Sequence, residues 1–256
     1  MREPLVMTTE RKAGGARETV RTLAYALGIA LVVRTFAFEP FNIPSGSMKP
    51  TLLVGDYLFV SKFAYGYSRY SFPLGLNLFS GRVLERLPQR GDVAVFKLPS
   101  DNKTDYIKRV VGLPGDRLQV KAGVLHVNGV PAELEPVGHF SDDQEGQIGQ
   151  QQPVTMPMYR EQLPDGRNHL TLDMYSNGLY DNTRVYEVPP GHVFAMGDNR
   201  DNSQDSRAES VGFIPLENLV GRAEVLFFSV NGSAHFWELW KWPWAIRYER
   251  LFRPIR

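Results

Sequence analysis

The sequence predicts a mainly β protein behind one N-terminal apolar helix. Its composition is the first observation: 23 glycines, 18 prolines and 12% aromatic residues in a chain of 256 suit many short strands and turns better than long helices. The second is a series of short β-branched and aromatic runs. One of them, residues 124–127, leads into Asn128-Gly129, a strong hairpin signal. The third is an apolar stretch over residues 22–38. The length is enough to bury a substantial core, as one large or two modest domains.

Composition also excludes several classes of function. A net charge of +1 leaves no global attraction for nucleic acid. With no cysteine, disulfides, thiol nucleophiles and thiolate metal sites are ruled out. The five histidines, at 126, 139, 169, 192 and 235, never fall at ligand spacing, so neither a metal site nor a metal cofactor is expected.

Residues 1–21 are polar, with Arg2, Arg11, Lys12, Arg17 and Arg21 set against Glu3, Glu10 and Glu18. Twelve apolar-tolerant residues follow at 22–33, then Arg34, then 35–38. A bilayer-spanning helix needs about 20 residues. The seventeen residues of 22–38 reach the lower limit if Arg34 extends its charge to the outer interface. A cleaved signal peptide and a buried soluble helix compete with an anchor. Phe36-Ala37-Phe38-Glu39-Pro40 offers no A-x-A-like cleavage site, which favours the anchor. The basic flank then puts residues 1–21 in the cytoplasm and the bulk of the chain outside.

The stretch Ile43-Pro44-Ser45-Gly46-Ser47-Met48-Lys49-Pro50-Thr51-Leu52 comes next. Two prolines stiffen it and Gly46 permits backbone angles closed to other residues. A serine on such a turn can present hydroxyl and N–H to one carbonyl; an ordinary polar turn has the same composition. Residues 56–61, 92–98, 106–111 and 124–127 read as strands. Between the first two lies an aromatic insert, residues 65–79, readable as core or as a hairpin dipping into a membrane interface.

A serine nucleophile needs a base, and no G-x-S-x-G elbow exists here. The notable candidate is Lys108. Alternation puts Tyr106, Lys108 and Val110 on one strand face, with Ile107, Arg109 and Val111 on the other. If the first face is buried, the charged amine is disfavoured; a solvated lysine is the alternative. Residues 139–169 read as a long solvated loop or an embellished lobe. Residues 196–207 lack the Gly and Glu of a calcium loop, yet are dense enough in Asp, Asn, Ser and Arg to cross-link themselves and hold a neighbouring amine. The carboxyl end holds all four tryptophans together with Arg250, Arg253 and Arg256, as either an interfacial segment or a helix packed on the domain.

Three stretches, I-P-S-G-S-M-x-P-T-L, Y-I-K-R-V-V-G-L-P-G-D and G-D-N-R-D-N-S-x-D-S-R, together resemble the boxes of bacterial type I signal peptidases, and Arg90-Gly91-Asp92-Val93 resembles a further one. The resemblance implies a membrane-bound serine endopeptidase with a Ser/Lys dyad that removes signal peptides from exported preproteins. It implies Ser47 as nucleophile and Lys108 as base, with Ser45 and the Ser47 N–H forming the oxyanion hole. Ser203 would orient the lysine, supported by an Asp205–Arg207 ion pair. Phe41, Ile43, Met48, Leu52, Tyr106 and Ile107 correspond to shallow apolar pockets for small side chains at −1 and −3, and a core role is open for each. The implied architecture is an antiparallel β catalytic core (39–115 and 194–256) with an inserted β lobe (116–193). One anchor (22–38) follows a cytoplasmic segment (1–21) and holds the catalytic part on the periplasmic side of the inner membrane. Expected partners are preproteins and membrane lipid, with no cofactor, metal or nucleic acid. A self-cleaving Ser/Lys repressor would need a DNA-binding N-terminus where the apolar segment stands, and a non-catalytic β-domain that binds exported chains would tolerate loss of Ser47 and Lys108.

Overall fold

The computed structural model describes residues 15–72, 80–142, 154–234 and 237–255. Helix α1 (Gly15–Phe36) is followed by β1 (Phe38–Asn42), β2 (Asp56–Ser61), β3 (Tyr67–Ser68), β4 (Arg82–Val83), β5 (Val93–Lys97) and β6 (Asp105–Gly112). Then come β7 (Arg117–Lys121), β8 (Val124–Val127), β9 (Val130–Pro131), β10 (Glu133–Asp142), β11 (Val154–Gln162), β12 (Asn168–Leu172) and β13 (Tyr186–Glu187). The chain ends with β14 (His192–Met196), β15 (Ile214–Pro215), β16 (Leu219–Ser229) and the short α2 (Trp242–Ala245). The protein is mainly β and its strand ladders are antiparallel.

The principal sheet has seven strands in the order β1-β2-β16-β5-β6-β14-β15. Its alternate positions build two cores. Ile43, Met48, Leu52, Leu58, Val60, Val95 and Leu226 pack together, while Phe96, Val110, Ala195, Ile214 and Leu219 form the second. Residues between β6 and β14 form a four-stranded sheet, β13-β7-β8-β9, and a three-stranded one, β10-β11-β12. Of the two readings of 139–169, the residues flanking 143–153, a stretch outside the described residues, follow the lobe and not the loop. A polar hairpin carries little hydrophobic signal, and the two buried residues of β11, Met156 and Glu161, are one apolar and one charged.

Helix α1 begins before the apolar stretch, since Arg17 and Arg21 are good helix formers. It ends at Phe36 rather than Phe38 because Phe38–Asn42 pairs with β2 and Glu39 precedes a proline, which disfavours helical backbone. Residues Arg17–Phe36 are long and apolar enough to cross a membrane, and all of their side chains but Thr35 are exposed. In the aromatic insert Tyr65 is core, and β3 and β4 pair across a connection whose residues 73–79 lie outside the described residues. The carboxyl end docks by its backbone through bridges Val225↔Pro254 and Val230↔Ile246. Trp240 and Trp244 nevertheless stay 67% and 77% exposed.

Candidate active site

The serine loop leaves β1 under tight control. Pairing continues one residue past the strand, with Ile43 N–H donating to Asp56 O (2.8 Å) and Gly55 N–H to Ile43 O (3.0 Å). Gly55 has φ +88° and lies against Val230 O, which a Cβ would approach to 2.2 Å, so no other residue fits there without movement. The loop base is held by buried Asp56, whose carboxylate accepts from Leu53 N–H (2.8 Å), Ser229 Oγ (2.6 Å) and Arg250 in two bonds (3.0 and 2.5 Å). At its tip, Asn199 donates from its backbone N–H to Ser47 O (3.1 Å) and from Nδ2 to Gly46 O (3.2 Å). Both ends of the loop are thereby fixed.

Lys108 reaches this loop from β6, where it pairs with Ala94 of β5. Its Nζ donates to Ser47 Oγ at 2.7 Å and to Ile107 O at 3.0 Å. Both side chains are buried, Lys108 being 4% exposed. The Tyr106 ring, on the same strand face, has its centroid 5.3 Å from the amine. Burial pushes the amine down to about 8, against the opposing charges of Asp205 and Asp198. The solvated-lysine alternative therefore falls. Ser45 Oγ lies 3.5 Å from Ser47 Oγ, so two hydroxyls and the amine share one small volume.

The 196–207 segment closes the site from the other side. Asp205 accepts from Gly197 N–H (2.9 Å) and from Arg207 through Nε (2.9 Å) and Nη2 (2.8 Å). Burial pushes the Asp205 carboxyl up, and the Arg207 charge and hydrogen bonds outweigh it, leaving the group below its ordinary value. Gly197 is squeezed between Ser203 and Ser47: a Cβ there would stand 2.2 Å from Ser203 Oγ and 2.5 Å from Ser47 O. Ser203 differs from expectation. Its hydroxyl is buried and makes no hydrogen bond to Lys108, lying instead near enough to Asp205 to help hold that carboxyl low; the amine takes Ile107 O as its second acceptor, the carbonyl of the preceding residue on its own strand.

Residues 16–228 match the family model for signal peptidase, peptidase S26. Signal peptidase I of Rickettsia typhi is 37% identical over 258 residues, covering 93% of this chain and 94% of its own. The chain belongs to the signal peptidase family. Signal peptidase I of Rickettsia conorii is 36% identical over 97% of this chain and 98% of its own. A solved signal peptidase I structure from Enterococcus faecalis aligns over 54% of this chain and 97% of its own, at 24% identity and a TM-score of 0.30. As a family member the protein is a type I signal peptidase, a serine peptidase that removes signal peptides.

Behind the peptidase site lies a buried ionic layer that sequence reasoning missed. Arg109, on the strand face opposite Lys108, is 1% exposed. It donates to Asp198 through Nε (2.8 Å) and Nη2 (2.7 Å) and to Gly91 O (2.8 Å), while Thr51 Oγ1 also donates to Asp198 (2.5 Å). Beyond it, Arg200 pairs with Glu161 of β11, and His169 Nε2 of β12 stands 3.1 Å from the same carboxylate. Burial, then the Arg109 charge, lower the His169 pKa. Backbone bonds from Leu172 N–H to Asp198 O and from Arg200 N–H to Leu172 O (2.8 and 2.9 Å) join the three-stranded sheet to the segment that grips Ser47. Arg109, Asp198 and Asn199 sat inside quoted motifs without a role. Nothing in the sequence singles out Glu161.

The six expected pocket residues divide by burial. Met48 and Leu52 are wholly buried and Ile43 nearly so, all within one core. Phe41, Tyr106 and Ile107 are half-buried; Tyr106 and Ile107 adjoin Lys108, and Phe41 packs on the core of Ile43, Met48 and Leu52. Elsewhere Asp173, Asp181 and Asp201 bring carboxylate oxygens within 4.8 Å of one another. Burial, and then the Asp201 charge, push Asp173 up to about 7.

Proposed function

We propose that the peptidase works through a Ser47/Lys108 dyad with a covalent acyl-enzyme intermediate, anchored in the cytoplasmic membrane by α1 with its catalytic part on the periplasmic side. The observation that carries this reading is the 2.7 Å bond between a buried lysine amine and a serine hydroxyl. With a pKa near 8, about one amine in ten is neutral at pH 7, against about one in three thousand for an unperturbed lysine. That gain supplies a usable general base without histidine.

Neutral Lys108 takes the Ser47 Oγ proton as Oγ bonds to the scissile carbonyl carbon. The negative charge moves to the carbonyl oxygen, where the Ser47 N–H and Ser45 hydroxyl stabilise it. The tetrahedral species collapses by breaking the C–N bond, and the Lys108 ammonium gives its proton to the departing amine. A water then attacks the ester, losing its proton to Lys108; the acyl C–Oγ bond breaks, the Lys108 ammonium returns that proton to Ser47 Oγ, and the signal peptide leaves with a free carboxylate. Asp205 and Arg207 hold the segment at Gly197, and Ser203 fills the space beside it. Phe41, Tyr106 and Ile107 form the shallow walls that admit small −1 and −3 side chains, with Ile43, Met48 and Leu52 packed behind. Residues 116–193 act as an inserted lobe whose second sheet braces the site through Glu161, Arg200 and His169.

The test is incubation of the purified full chain with a purified preprotein, followed by N-terminal sequencing of the product. One new N-terminus, after small residues at −1 and −3, is expected. Cleavage after large residues refutes the pocket assignment, and no cleavage refutes the proposed reaction.

A further inference from the structure

A cavity of about 660 Å³ lies where the end of α1 meets the β body, well within the size range of ligand pockets. Cations converge on it from five separate segments: Arg34 of α1, Lys62 and Arg69 of the turns flanking β3, Lys97 of β5 and Lys103 of the β5–β6 loop. Among the described residues only two carboxylates share the walls, Glu39 and Asp105. Glu39 serves both Lys62 (2.8 Å) and Arg34 (3.0 Å), and Asp105 serves Lys97 (2.8 Å). Lys103 shares its loop with Asp101, which accepts from its backbone N–H and feels its charge, and its ammonium forms no close ion pair among the described residues. Arg69 lies over the Tyr70 ring at 4.7 Å and is ion-paired with Glu217 through Nε (3.3 Å), a contact that does not make a hydrogen bond, so its buried Nε–H is left unsatisfied among the described residues. A buried donor in that state costs free energy until an acceptor arrives.

Position identifies the acceptor. Arg34 belongs to the last turn of α1, whose Phe36 packs edge-on against Tyr67 and Phe72, so the cavity opens where that helix would leave a bilayer. We propose that this cavity binds the phosphodiester headgroup of an anionic glycerolipid from the outer leaflet, held by Arg69 and Lys103 with Arg34. Leu31, Phe72 and Val220 supply the apolar wall for the glycerol and upper acyl carbons. A signal peptide is the poorer occupant, because its apolar core and small, neutral cleavage region have no use for surplus positive charge. The inference rests on the membrane-anchored reading above.

The test is native mass spectrometry of the full chain in detergent, titrated with phosphatidylglycerol, phosphatidylcholine or sn-glycerol 3-phosphate. Wild type should retain phosphatidylglycerol about tenfold better than phosphatidylcholine, and Arg69→Gln/Lys103→Gln should lose that preference. Arg117→Gln/Arg160→Gln, which changes distant exposed arginines, should keep it. Lys103→Glu alone, on an exposed loop, serves if the double variant misfolds and should also lose it. Equal retention of both lipids, or an unchanged preference in the pocket variants, overturns the proposal. Tight binding of glycerol 3-phosphate would make this a site for a soluble phosphate ester and overturns the lipid source. A raised KM for preprotein with lipid retention unchanged would assign the cavity to the peptide instead. Flotation of wild type with pure phosphatidylcholine vesicles separates the two readings: flotation without lipid preference sinks only the headgroup site, whereas no flotation sinks the anchor as well.

Discussion

The rate of cleavage should follow the protonation of one buried amine, and pH is the perturbation that exposes it. The pKa of Lys108 is lowered from 10.5 to about 8, chiefly by burial. A base acts only when neutral, so kcat/KM should rise about tenfold per pH unit below pH 8 and level off above it. Between pH 6 and pH 9 the neutral fraction climbs from about 1% to about 90%, an increase of about 90-fold. The drop from 10.5 corresponds to about 3 kcal/mol of disfavour for the ammonium, on the scale that burial of a lysine imposes. The assay is kcat/KM for a preprotein-derived peptide in one detergent, measured from pH 6 to pH 10 with enzyme integrity checked at each end. A profile flat across pH 6–9 would refute the reasoning, because the base would then not titrate where its environment puts it. One still climbing at pH 10 would show an unperturbed lysine, and an inflection near 6.5 would point to imidazole.

Three further outcomes follow from the surroundings of the dyad. Asp198→Asn leaves buried Arg109 without its two-bond partner and should destabilise the fold by about 3–5 kcal/mol, read as a lower melting temperature; an unchanged melt would mean the pair contributes nothing. Gly197→Ala places a Cβ within 2.5 Å of Ser47 O and should cut kcat at least tenfold while circular dichroism stays native, so full activity would contradict the close approach. Asp173 has its folded pKa raised to about 7. Its contribution is therefore complete below its ordinary value near 4 and is lost as pH rises through about 7. Asp173→Asn should raise stability at pH 8 by about 1 kcal/mol after allowance for solvent screening and do little at pH 4; the opposite ordering would overturn the shift.

The strands at residues 56–61, 92–98 and 106–111 were legible because each is short and rich in β-branched and aromatic residues, and Asn128-Gly129 marked its hairpin through the positive φ both residues adopt. The alternation that put Tyr106 beside Lys108 also held. It could not say that the opposite face was equally buried, since Arg109 reads as a solvent-facing charge until Asp198, far along the chain, folds onto it. Glu161 and His169 were illegible for a related reason. Their partners are set by the approach of β11 and β12 to the segment at 198–200, and no local spacing encodes that approach. The hairpin of β10 and β11 was hidden by its polar composition. Ser203 shows that a motif can name a neighbour without naming a bond: its hydroxyl packs on Gly197 and makes no hydrogen bond to the lysine.

The central claim is tested most directly by trapping the reaction in acid and mapping the enzyme by mass spectrometry. A signal-peptide acyl group should appear on Ser47, and should be absent when the same reaction is run with Lys108→Ala. An adduct on another residue, or full turnover by Ser47→Ala, would contradict the account.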